Sequence, residues 1–303
     1  MRPLAMLAVC MLAATSSLAA GAKRFASAEQ AAQAFIAAAR AGDSKALLAV
    51  LGPEAKEIVQ SGDAAVDTQA RARFVKAWEE GNKVVKAEDG MALLAIGRDE
   101  WIFPIPIVKD ASGWYFDIKE GKEEILNRRV GRNELSALQA VEAYVDAQRE
   151  YYLRNPQKDK LLQYAQKFVS GKGKRDGLYF PVKAGEAASP LGPLFDRLQA
   201  GAQGGAGKRT PYYGYYYRIL KGQGPDARGG AYSYIAQNRM IGGFALVAWP
   251  AAYGNTGVMT FLVNHDGVVL QKDLGPGTAA AVKGMTLFNP DKSWKPLPTS
   301  PKS

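Results

Sequence analysis

Cysteine occurs once in the 303 residues, at Cys10. It lies inside a short apolar run, residues 4–12, that follows Arg2 and precedes a stretch of small residues. A positive start, a short apolar core and small residues make a secretory signal. The run is shorter than the roughly 20 apolar residues a membrane span needs. Cleavage is expected after Ala19, with Ser17 and Ala19 as the small pair, or after Ala22, with Ala20 and Ala22. A lipid-anchored cysteine is disfavoured because Val9 stands where a small residue is wanted. Removal of residues 1–22 takes the cysteine with it. The mature chain then forms no disulfide and no cysteine-ligated zinc site. It must be held by an ordinary hydrophobic core, which a chain of this length can bury, and the length suggests two domains.

The order of sequence patterns predicts an α+β fold, with helices packed on antiparallel sheets, in two modules after the signal peptide. The first module, 23–120, opens with helices. Ser27 and Gln30 form a capping box at the head of a helix that ends at Gly42. Asp43 caps a second helix carrying Leu47, Leu48, Val50 and Leu51, which stops at Gly52-Pro53. A third, 64–80, sets Phe74 and Trp78 four apart on one face. Four strands follow. Glu88-Asp89-Gly90 predicts a hairpin between 83–87 and 91–96, because Asp-Gly tolerates positive φ. A strand over 101–108 contains Pro104 and Pro106 and should be an edge or carry a bulge, since proline cannot donate to the ladder. A turn at 110–113 leads to the last strand, 114–119. Helices followed by such a meander resemble the cone-shaped folds of many small binding domains, a likeness of fold only.

The second module, 121–303, is predicted as helices at 122–130, 133–153 and 160–169. A long glycine-rich stretch, 170–210, comes next, and long loops are commonly functional or disordered. Strands at 213–220, 243–249, 257–264 and 267–273 close the chain as an antiparallel sheet. The last two flank a turn at His265-Asp266.

Charge separates the modules. The chain is +10 overall. Residues 23–120 hold 13 Lys+Arg against 15 Asp+Glu, whereas 121–303 hold 25 against 14. A basic surface attracts phosphate- or carboxylate-bearing partners. For an exported chain these are acidic glycans, lipid headgroups or acidic proteins of the envelope rather than nucleic acid; a basic face that only aids solubility is the alternative.

Several chemistries are excluded by residue type. His265 is the only histidine, and in Asn264-His265-Asp266-Gly267 it reads as an exposed turn residue. Gly-x-Ser-x-Gly, Ser-x-x-Lys and His-Glu-x-x-His are absent. The glycine-rich stretches at 171–177 and 204–208 lack the Lys-Ser/Thr of a phosphate loop, and Gly275-Pro276-Gly277 lacks a following βαβ unit. No cofactor and no metal is expected. The carboxylates Asp176, Glu186, Asp196, Asp226, Asp266 and Asp273 keep open a glycan-acting enzyme, which needs two carboxyl groups across one bond. Two features point to binding instead. In 211–218, an alternating strand puts Tyr213, Tyr215 and Tyr217 on one face and Tyr212 and Tyr216 on the other, flanked by Lys208, Arg209 and Arg218. Tyrosines beside cations can stack on sugars or hold an acidic partner; the same residues also suit a half-buried sheet. In 172–180, Lys172, Lys174 and Arg175 precede Tyr179 in a basic loop.

Taken together, Tyr164-Ala165-Gln166-Lys167-Phe168, Arg175-Asp176-Gly177-Leu178-Tyr179, Ser189-Pro190-Leu191-Gly192-Pro193-Leu194 and Gly242-Gly243-Phe244-Ala245-Leu246-Val247-Ala248-Trp249-Pro250 resemble an exported bacterial family, domain of unknown function 2950. Tyr253-Gly254 and Thr256-Gly257 extend the likeness. The resemblance covers nearly the whole mature chain and implies a periplasmic Gram-negative protein with no catalytic residues to carry over. The tail from Gly214 is similar to the closing meander of pilin-like head domains, without their N-terminal helix. The resulting expectation is a non-catalytic periplasmic interaction or scaffold protein whose second module binds an acidic envelope partner. A carboxylate-dependent glycan-acting enzyme is the alternative.

Overall fold

The computed structural model describes residues 21–192 and 211–297. Lys208, Arg209, Asp196, the expected signal segment up to residue 20 and the glycines of 201–207 lie outside them. The fold is α+β, built of helices and antiparallel sheets in two compact units, Met1–Ile125 and Leu126–Ser303.

In the first unit, helix α1 (Ala28–Arg40) starts where the Ser27 hydroxyl accepts from the Gln30 amide at 3.2 Å. The reciprocal half of the capping box is absent among the described residues. Asp43 caps α2 (Ser44–Leu51) through the Lys45 amide. A short turn leads to α3 (Lys56–Val59), and Asp63 caps α4 (Ala64–Glu80). Strands β1 (Asn82–Glu88) and β2 (Met91–Ile96) meet at a two-residue turn in which Gly90 has φ +80. The stretch expected as one proline-bearing strand is two. β3 (Trp101–Ile102) and β4 (Ile107–Asp110) pair with opposite ends of β2, separated by the four residues that hold Pro104 and Pro106. β4 lies between β2 and β5 (Gly113–Phe116), so the prolines break the strand instead of marking an edge. Phe35 of α1 contacts the rings of Phe74, Phe103 and Phe116 at 5.1–5.2 Å, and the small Ala28, Ala31 and Ala32 let the helix approach the other elements.

Helix α5 (Ile118–Arg154) merges the two helices expected at 122–130 and 133–153. One glycine, Gly131, costs a helix about 1 kcal/mol relative to alanine, too little to end one whose later turns are packed. In the second unit those turns bury Ala137, Val141, Tyr144, Val145 and Tyr151 against a five-stranded antiparallel sheet. Its strands are β6 (Tyr215–Leu220), β11 (Ala245–Pro250), β12 (Met259–Asn264), β13 (Leu270–Asp273) and β14 (Lys295–Pro296), in the order β14-β13-β12-β11-β6. Between β6 and β11 lie two short pairs, β7 (Gly222–Gln223) with β8 (Tyr232–Ser233), and β9 (Ile235–Ala236) with β10 (Arg239–Met240). Every residue of β11 is buried, so this inner strand is covered on both faces. Glu134 of α5 holds the start of β12 by accepting from the Val258 and Met259 amides at 2.8 and 3.0 Å. Helix α6 (Thr278–Gly284) receives Arg218, whose guanidinium donates to the carbonyls of Val282 and Met285.

The helix expected at 160–169 does not form. Its backbone groups bond elsewhere: the Tyr164 amide to Met240 O, the Tyr179 amide to Phe168 O, and both polar groups of Ala165 to the buried side chain of Gln148. Tyr164 and Phe168 pack on Phe244 and Tyr144. A buried amide that satisfies a donor and an acceptor at once outcompetes the local helix.

Candidate functional site

The segment after α5 has left the helix, so its side chains point into a cleft of about 470 Å³ in the second unit. Gln157, Asp159, Gln163, Gln166, Lys167 and Asp176 line one part, and Lys221, Gln237, Asn238 and Arg239 the other. All ten are polar or charged. Tyr151, buried near the end of α5, is bonded to Gln157 of the lining. Its hydroxyl donates to Arg175 O at 2.7 Å and accepts from Gln157 Nε2 at 2.8 Å. Burial pushes this phenol up to about 12, helped by the charges of Asp176 and Asp159 and opposed by the Gln157 bond. Two carboxylates therefore approach one neutral hydroxyl.

Asp176 is fixed from two sides. Lys167 Nζ donates to it at 2.6 Å and the Gly171 amide at 2.8 Å, and these bonds hold its carboxyl below the ordinary range against the effect of burial. Asp159 accepts from Gln163, and its amide and carbonyl are clamped by the side chain of Asn155 at 3.0 and 2.8 Å.

Also in the lining, Gln237 and Asn238 form the two-residue turn between β9 and β10, with φ +47 and +61. Asn tolerates this region; Gln there is uncommon. Asn155 and Lys158 also have positive φ, +44 and +56. Four of the six non-glycine residues with positive φ among the described residues thus lie in the two segments that line the cleft. Strained backbone of this kind gathers at functional sites. The turn is tied across the cleft by Gln166 Nε2, which donates to Asn238 O at 2.9 Å. Lys221 makes only a 3.5 Å contact with Gln166 Oε1. The half-buried Arg239 guanidinium has no hydrogen-bond or ion-pair partner among the described residues.

The model of the family described as Protein of unknown function (DUF2950) matches residues 22–297. The chain belongs to this family. No curated protein and no solved structure matches it, and the likeness of the tail to pilin-like heads has no support. Family membership assigns no activity, so the chemistry of this DUF2950 chain has to be read from its side chains.

The residues singled out in the sequence scatter. Lys172 and Lys174 are exposed in the loop beside Asp176, outside the cleft lining. Arg175 pairs with Glu186 at 2.9 Å and lies over Phe180. Tyr179 is bound into the loop through its backbone. Tyr215 is buried, donates to Met259 O at 2.9 Å, and is pushed up by burial. Tyr217 buries a hydroxyl that has no partner among the described residues, and burial raises it. With Arg218 held by α6, the tyrosine strand is a sheet element facing packed layers. Tyr213 is not in that strand: it lies with Gly214 in a positive-φ turn closed by reciprocal bonds between Tyr212 and Tyr215. His265 occupies the expected turn but is half-buried, perpendicular to Tyr234 at 5.6 Å and against Gly243. The absence of a side chain at Gly243 admits the ring, which adjacent sequence does not reveal.

Of the cleft, sequence reasoning had weighed Asp176 as a carboxylate and met Gln166 and Lys167 only inside the family resemblance. Asp159, Lys221 and the Gln237–Arg239 turn were missed. The usable signal was the run of three glutamines at 157, 163 and 166 beside Asp159. Among the described residues no group of three or more His, Cys, Asp or Glu could hold a metal, and no helix is long and apolar enough to cross a membrane.

Proposed function

We propose that this DUF2950 chain is a periplasmic, non-catalytic binding protein, and that its second unit takes an acidic envelope ligand in the cleft between Asp159 and Arg239. The observation that carries the reading is a polar cleft with two cations, Lys221 and Arg239, that no carboxylate of the described chain neutralises. An unpaired guanidinium and an ammonium in the same cleft suit a carboxylate or other oxyanion. The net positive charge of residues 121–303 favours the approach of such a ligand.

Export rests on the leader, and the test is an intact mass of the protein recovered from the periplasm. A start at residue 20 or 23 supports it; retained Met1 contradicts it. Anion binding is tested by titrating the mature chain with trigalacturonate and with triglutamate. Affinity for at least one that falls with salt, and falls again in the Lys221→Gln/Arg239→Gln double variant, supports the cleft. Binding of neither, or binding indifferent to both changes, contradicts it.

The enzymatic alternative is favoured by one observation, the two carboxylates Asp159 and Asp176 in a single cleft. Acid–base cleavage of a glycoside needs one carboxyl kept protonated near neutral pH. Asp176 is held in the opposite direction by Lys167, which is why binding is preferred. Hydrolysis of a glycan abolished by Asp159→Asn would reverse that preference.

A further inference from the structure

The unspent hydrogen-bonding groups of the cleft have a specific composition. Lys167 and Asp176 neutralise each other, and Gln163 donates to Asp159 and keeps its carbonyl. Gln166 is used at both ends, towards Asn238 O and Lys221. Gln157 has given its amide hydrogen to Tyr151 and keeps its carbonyl. What remains is the Arg239 guanidinium, most of the Lys221 ammonium, the whole side-chain amides of Gln237 and Asn238, the Gln157 and Gln163 carbonyls and the second oxygen of Asp159. That is two cations, amides able to donate and accept, and further acceptors in the lining of one cleft. No apolar side chain lines the cleft.

We infer that the ligand is a sugar acid: a carboxylate-bearing glycan unit whose carboxylate sits on Arg239 and Lys221 and whose ring hydroxyls are read by Gln237, Asn238, Gln157 and Asp159. The inference rests on the anion-binding reading above and narrows it. A hydroxyl donates and accepts at once, and the groups that satisfy both roles are amides and carboxylates, which is what the rest of the cleft presents. An acidic peptide offers carboxylates without hydroxyls. It would leave Asp159 facing a like charge, and polar groups left unpaired on binding are penalised. Both kinds of group line one cleft, so a ligand with a carboxylate and hydroxyls is held more tightly than one with either. The strained Gln237-Asn238 turn, tied by Gln166, presents its two amides beside Arg239 of the following strand.

The test compares three probes by calorimetry with the mature chain: trigalacturonate, its methyl ester, and triglutamate. The first and third carry like charges, while the first and second share ring hydroxyls. The expected result is that trigalacturonate binds about tenfold or more tighter than either, since one charged hydrogen bond is worth that factor. The Lys221→Gln/Arg239→Gln variant should bind acid and ester equally, with an unchanged melting temperature as the control for folding. Should the variant fail to fold, the ester comparison on the unaltered chain decides alone. Equal affinity for acid and ester overturns the carboxylate subsite. Triglutamate binding as tightly as trigalacturonate overturns the sugar while leaving the anion reading intact, and binding of none of the three overturns both.

Discussion

Single residues show how the second unit distributes its polar groups. Tyr217 buries a hydroxyl that no partner among the described residues satisfies. An unsatisfied buried group costs roughly 1–3 kcal/mol, so Tyr217→Phe should stabilise the chain, by up to about 1 kcal/mol once lost packing around the oxygen is allowed for. A higher midpoint in urea with an unchanged slope would check it; a lower midpoint would mean that the hydroxyl has a partner in solution. Asp176 makes the opposite case, a surface carboxylate fully used. Its native pKa is depressed, first by the Lys167 bond and then by the Gly171 amide. A depressed carboxyl contributes stability that is present above its unfolded value and is lost as pH falls through the lower native value. The Gly171 amide should therefore stay protected against hydrogen exchange down past about 3.9, the ordinary aspartate value, and open only below it. Asp176→Ala, which leaves the Gly171 amide no acceptor, should remove that protection at neutral pH as well. Exchange at Gly171 that already quickens above the ordinary value would contradict the anchoring.

At the scale of elements, sequence patterning was readable wherever the deciding interaction was local. The Asp89-Gly90 turn, the Ser27 and Asp43 caps and the strand from Tyr215 follow from neighbours in the chain. It failed where distant partners decide. The apolar run at 160–169 has helical spacing, yet Gln148 and Met240 take its backbone groups. Gly131 looks like a break, yet α5 continues through it. A Cβ at Gly131 would meet nothing within 4 Å, so Gly131→Ala should raise stability by about 0.5–1 kcal/mol; a loss on thermal melting would show that α5 bends there. The Gln237-Asn238 turn was invisible because Gln is a poor choice for positive φ. Gln237→Gly removes the strain and one amide of the cleft together. It should stabilise the fold by a few tenths to about 1 kcal/mol while weakening sugar-acid binding. A turn selected for stability alone would give the first effect without the second.

For the whole molecule, the excess positive charge of the second part was legible from the sequence, and so was the α+β class. The position of the cleft was not, because its ten lining residues come from chain segments more than 40 positions apart, joined only once the sheet brings residues 221–239 beside those after α5. The basic loop and tyrosine strand drew attention for composition, but the sheet uses Tyr215 and Arg218 for its own packing. The polar groups that the fold leaves unused stand elsewhere, on Arg239, Lys221, Gln237 and Asn238. The most direct test of that claim is a chemical-shift map of the mature chain titrated with trigalacturonate. Shifts should concentrate on the amides of 157–167 and 235–240 and on the Arg239 side chain. Shifts confined to Lys172, Lys174 and the neighbouring loop, or to the 211–218 strand, would place the ligand outside the cleft and contradict the account.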